Sequence, residues 1–189
     1  EFYGRSSLAA LPDRSKLLEA YDRIYNGVAA LDSSIDLSDL KLTHEQYKQV
    51  FYAYRGDPTG HFWLDEVNCQ GRVFTQTQLM SRMIPAYFTD LTSDLDFAKE
   101  RYSGAINSFI EGLDISEGAS EYDITLAVHD ALAMKASEYN TDKTHSPYYL
   151  MVENIGRCHA YCHTYTEILA SFGISAFTIY GTDVNTSYR

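Results

Sequence analysis

Cys158 is the residue of this chain best placed for covalent chemistry. It stands in the run Gly156-Arg157-Cys158-His159-Ala160-Tyr161-Cys162-His163. Beyond it, Tyr161, Tyr165, Ile168, Leu169 and Phe172 fall at the spacing of one helix face. Gly173 follows where a left-handed C-cap is needed. The pattern predicts a helix that opens at Cys158. A helix start carries unpaired amide donors and about half a positive charge, which stabilise a thiol as thiolate, the nucleophilic form. The same amides suit the oxyanion of a tetrahedral intermediate. Arg157 adds a positive neighbour, and Gly156 leaves room for a substrate backbone. Together these point to acyl transfer through a thioester. The plain alternative is a small residue that opens a helix and packs.

Other reactive types have blander readings. Cys162, one turn on, is expected to pack in the core, and Cys69 sits in a turn-like context, Asn68-Cys69-Gln70-Gly71. His159 and His163 share a helix face, as zinc ligands do, but Ala160 stands where a metalloprotease helix has glutamate, so no metal and no cofactor are expected. The two cysteines are spaced one residue too far apart for haem attachment. Asp65/Glu66 and Asp94/Asp96 read as turn or helix-start acids rather than a glycosidase pair. His129 is expected to make a helix–helix hydrogen bond. His145, His159 and His163 are the imidazoles available as a substitute base, though the last two project along the helix that Cys158 opens.

The elements that must position this segment are legible from pattern. The chain has 189 residues and a formal charge of −11, which argues against phosphate backbones and anionic lipid as partners. No apolar run reaches the roughly 20 residues of a membrane span. The first twelve residues read as an irregular lead-in. A helix is predicted from Asp13, with Leu17, Leu18, Tyr21, Ile24, Tyr25 and Val28 on one stripe. Thr43 and Gln46 form a capping box, flanked by Leu42 and Tyr47 as a hydrophobic staple. Short strands are predicted at Phe62–Leu64, Arg72–Phe74, Met83–Phe88 and Ile174–Tyr180. Two further helices are predicted, one from near Ser93 bearing Phe97, Tyr102, Ile106, Phe109 and Ile110, the other from Ser120 with Asp123 at its third position. Residues 140–147 read as polar loop.

The Cys158 segment, with Ile168-Leu169, Gly173-Ile174 and a strand closing on Gly181, resembles the nucleophile segment of transglutaminase-like cysteine peptidases. That pattern is Gly-Val-Cys-x-Gly-Tyr-Ala, an apolar helix, Gly-Ile, then a strand ending in glycine. Tyr122–Leu132 with His129-Asp130, and Tyr139-Asn140, resemble the helix and loop before the nucleophile in bacterial members. Pro58–Leu64 resembles an earlier Pro- and Trp-bearing stretch. Arg157, Ala160 and Cys162 depart from the pattern's Val, Gly and Ala.

The resemblance implies an α+β, cysteine-proteinase-like (transglutaminase core) fold, mostly its helical nucleophile-bearing lobe. Residues 1–40 would be an N-terminal helical extension and 41–189 the first part of the domain. It implies a protein or peptide substrate, no nucleic acid and no membrane, and an extracellular or cell-surface bacterial setting. In that family the general-base His and its Asp or Asn come from later strands, so a further polypeptide segment is expected to complete the site. Tyr149 or its neighbour Tyr148 is a candidate oxyanion donor, with nothing in the sequence to choose between them, and Arg157 a candidate substrate-side residue. A catalytically inactive binding or scaffolding module with the same fold is the alternative.

Overall fold

The computed structural model describes residues 4–57, 61–135 and 145–178. It is an α+β arrangement of helices around a small antiparallel sheet. A one-turn helix, α1 (Arg5–Leu8), corrects the expected irregular lead-in. Next come α2 (Arg14–Ala29), β1 (Ile35–Asp36) and α3 (His44–Arg55). Asp13 sits at the N-cap position of α2 but in the left-handed region, and its side chain makes no capping bond. It instead accepts from the Gln46 side-chain Nε2 at 3.0 Å. Thr43 and Gln46 form the capping box: the Gln46 amide donates to Thr43 Oγ1 at 3.2 Å, and the Thr43 amide donates to Gln46 Oε1 at 3.0 Å.

The strands β2 (Gln70–Val73) and β3 (Met80–Ile84) complete the sheet in the order β1-β3-β2, with Ile35 opposite Met83 and Gln70 opposite Ile84. The strand expected at Met83–Phe88 therefore lies earlier and ends before Pro85, which has no N–H to continue a ladder. Phe62–Leu64 is not a strand; only Leu64 makes an isolated bridge, to Tyr87. Met80 and Met83 point inward and join Leu17, Ile24, Val28, Leu42, Val50 and Tyr54 in one core. Helix α2, expected as an extension ending by residue 40, thus shares its core with α3 and the sheet.

A second core lies beneath α4 (Thr89–Thr92), α5 (Leu95–Glu111), α6 (Glu121–Ala133), a π-turn at Tyr149–Glu153 and α7 (Cys158–Ser171). Asp94 caps α5, and Ser120 with Asp123 forms a second capping box at α6. The buried face of α5 is Ala98 and Tyr102, backed by Ile106 and Phe109. Phe97 is 56% exposed, contrary to expectation, since it lies beside that face and carries the Arg101 guanidinium over its ring. Tyr102 donates to Glu167 at 2.5 Å, joining α5 to α7, and burial raises the pKa of this carboxyl to about 7.

Helix α7 ends in a Schellman motif. Gly173 has φ +75°, its amide donates to Ala170 O at 3.0 Å, and the Ile174 amide reaches Leu169 O at 3.0 Å. After it, 174–178 form no strand, which corrects the expected Ile174–Tyr180 strand over those residues; they are not part of the described sheet. The remainder of that stretch, Gly181, Tyr139-Asn140 and Pro58 lie outside the described residues.

Gly27 lies in the last turn of α2, where alanine in place of glycine ordinarily stabilises a helix by up to about 1 kcal/mol. Here a Cβ would stand 2.6 Å from Cγ1 of the buried Ile35 on β1. Gly27→Ala is expected to lower stability by roughly 1–3 kcal/mol through overpacking, read as a lower urea midpoint.

Candidate functional site

Helix α7 begins at Cys158, as its spacing predicts. Asn154, in the left-handed region, ends the π-turn, and its side-chain oxygen accepts from Lys135 at 3.1 Å. Gly156 and Arg157 then lead in as N′ and N-cap. Arg157 is extended and its side chain makes no cap bond. The first intrahelical bond runs from the Tyr161 amide to Arg157 O at 3.2 Å, so the amides of residues 158–160 precede the helical ladder. Cys158 is exposed. Gly156 does not leave space for a substrate: it is buried, and a Cβ there would meet Leu150 Cδ1 at 2.8 Å. Glycine is needed because the lead-in presses against the π-turn.

One residue on, the side chain turns inward. His159 Nε2 lies 2.9 Å from Glu66 Oε2, and the same oxygen accepts from Arg55 Nε at 2.6 Å. Glu66 is 13% exposed and His159 10%. Burial pushes the Glu66 pKa up, but the hydrogen bond and charge of His159, with Arg55, push it further down, and the net direction is down. His163 packs behind, its ring 6.1 Å from that of His159. It is buried, and its Nδ1 has no hydrogen-bond partner. Burial lowers its pKa, against an upward push from Glu66.

Two more imidazoles close the space. His61 lies between the Tyr25 and Trp63 rings, at 4.5 and 4.7 Å, with Nδ1 2.9 Å from the Tyr54 hydroxyl. Burial, then the charge of Lys99, lower its pKa to about 4. His145 is lowered by burial, then by the charges of His159, Arg157 and Arg55. Between these rings and Glu66 is a cavity of about 10 Å³, about the space one water needs. Among the described residues, no group of three or more His, Cys, Asp or Glu side chains could hold a metal ion.

The other candidates separate. Tyr149 is buried and its hydroxyl donates to Asp90 at 2.9 and 3.0 Å, so its single proton is committed away from an oxyanion. Arg157 is half-buried beside Cys158, and its charge reaches His145. Cys162 is exposed rather than core-packed. It lines an opening of about 230 Å³ with His129, Tyr161 and Tyr165 between α6 and α7, because the α7 face it occupies is not covered by α6. Burial, then Cys158, raise its thiol pKa. The Cys69 thiol donates to Asp65 O at 3.3 Å and is pushed up to about 12, chiefly by burial. His129 makes no helix–helix bond; it pairs with adjacent Asp130 at 2.9 Å on the exposed side of α6. Among the described residues, no histidine hydrogen-bonds the Cys158 sulfur.

Glu66 is the central residue that sequence reasoning passed over as a turn acid. The available signal was the His159/His163 pair itself: two imidazoles on a helix face that also buries Ala160 need a polar partner. No family model, curated protein or solved structure matches the chain.

Glu66→Ala strips Arg55 and His159 of a shared carboxylate and is expected to cost roughly 3 kcal/mol. Glu66→Gln, which keeps an acceptor oxygen, should lose less. Urea denaturation of the two variants beside the parent checks the order.

Proposed function

We propose that the chain performs thiol-based acyl transfer, with Cys158 as nucleophile and hydrolysis of a peptide or other amide as its outcome. One observation carries this: the exposed sulfur belongs to the first residue of α7, in the turn whose amides precede the helical ladder. Such a turn favours both an anionic sulfur and the oxyanion formed when it adds to a carbonyl. The thiolate adds to the amide carbon, the amine leaves with a proton, and water releases the acid from the thioester. The amine needs a proton donor and the water a base. In this reading a His and an Asp or Asn come from a further polypeptide segment, completing a transglutaminase-like, cysteine-proteinase-like domain. A protein or peptide at the cell surface or outside a bacterium is the substrate.

A second reading has its own support. His159 is bound to Glu66 and His163 is buried, so the imidazoles nearest in sequence serve the interior. A binding or scaffolding module that retains the fold is consistent with that commitment.

Substoichiometric iodoacetamide at pH 6, followed by peptide mapping, discriminates. Acyl transfer predicts labelling of Cys158 at least tenfold ahead of Cys162, with Cys69 last, since exposure and thiol ionisation both set alkylation rates. Cys158→Ser should abolish the fast phase. Equal labelling of Cys158 and Cys162 would count for the binding module.

A further inference from the structure

Four imidazoles enclose one carboxylate, and that carboxylate is already shared between Arg55 and His159 through a single oxygen. We propose that this pocket is an acid-operated latch: proton uptake by its imidazoles releases the first turn of α7, with Cys158, from the 61–66 segment. The proposal stands whether or not Cys158 is a nucleophile.

The reason is the composition of the walls. The end of α3 contributes the Tyr54 hydroxyl, Arg55 and Asp57. Helix α2 contributes the Tyr25 ring, and α5 contributes Lys99, whose Nζ is 4.9 Å from the Trp63 ring. The 61–66 segment supplies His61, Asp65 and Glu66, and the α7 side supplies Arg157, His159 and His163. Cations therefore approach from three sides: Arg55, Lys99 and Arg157. Glu66 Oε2 already accepts from both Arg55 and His159, and a cavity of about 10 Å³ has room for about one water, too little to hydrate an added charge. The buried Nδ1 of His163 has no partner to share a proton with.

His61, His145 and His163 are all held below their ordinary pKa in the closed pocket. A group whose closed-state pKa is depressed binds its proton more readily once the pocket opens. Closed-state stability is therefore complete above about pH 6.5 and falls as pH drops through that value. For His61 the loss continues to about pH 4. One imidazole that cannot charge while closed favours opening about thirtyfold at pH 5.

The test is amide hydrogen exchange by mass spectrometry on the full chain at pH 7.5 and 5.0, expressed as protection factors so that intrinsic rates cancel. Protection over 61–66 and 157–164 is expected to fall tenfold or more at pH 5.0 and to return on neutralisation, while protection over 17–28 in α2 changes less than threefold. His163→Gln and, separately, His145→Gln should each shrink the acid loss, so a folding failure of one leaves the other to report. Equal protection at the two pH values, a loss spread equally over α2, or an acid loss unaltered in every folded variant would overturn the latch.

Discussion

One carboxylate oxygen is shared between the two halves of this molecule. Glu66 Oε2 takes a proton donor from Arg55 at the end of α3 and another from His159 in the first turn of α7. Helix α3 belongs to one hydrophobic core and α7 to the other. Breaking either arm leaves charge in a largely buried place, which is far costlier than losing a surface ion pair. The exposed pairs, such as Arg5 with Asp22 and Arg23 with Asp39, cost little to separate and contribute correspondingly little.

The tyrosines explain how an acidic chain builds such an interior. Sixteen tyrosines accompany 26 acidic residues. Several meet inside: Tyr21 donates to Asp57 at 2.5 Å, Tyr149 to Asp90, and Tyr102 to Glu167. Each ring buries apolar area while its hydroxyl supplies the donor that a carboxylate needs. Among the described residues most tyrosines are buried or half-buried, and part of the acidic excess serves as their acceptors.

Local chemistry was readable in the sequence where it acts within a few residues. The Thr43/Gln46 and Ser120/Asp123 boxes follow from residues three apart, and the start of α7 at Cys158 and the left-handed Gly173 from the spacing within one helix. What failed depended on distant partners. The expected strand after Gly173 does not join the described sheet over 174–178, and a sheet is a property of two segments. Gly156 was read as open space because Leu150 is six residues upstream and reaches it only through a π-turn that no period announces. Glu66 was hidden for the same reason, since Arg55 lies eleven residues before it on α3 and His159 far beyond it on α7. Exposure of Cys158 and burial of His159, adjacent in sequence, reflect the 100° step of a helix and were visible only once the packed face was known.

The aromatic seam between the cores has an optical consequence. Trp63 is the chain's only tryptophan, and its indole N–H donates to Val28 O at the end of α2, at 3.2 Å. One neighbour is the His61 ring and another the Lys99 ammonium. Tryptophan emission from this protein, excited where tyrosine does not absorb, is therefore not an average over its surface. It originates where the two halves meet, so a spectrometer reads that junction without any added dye.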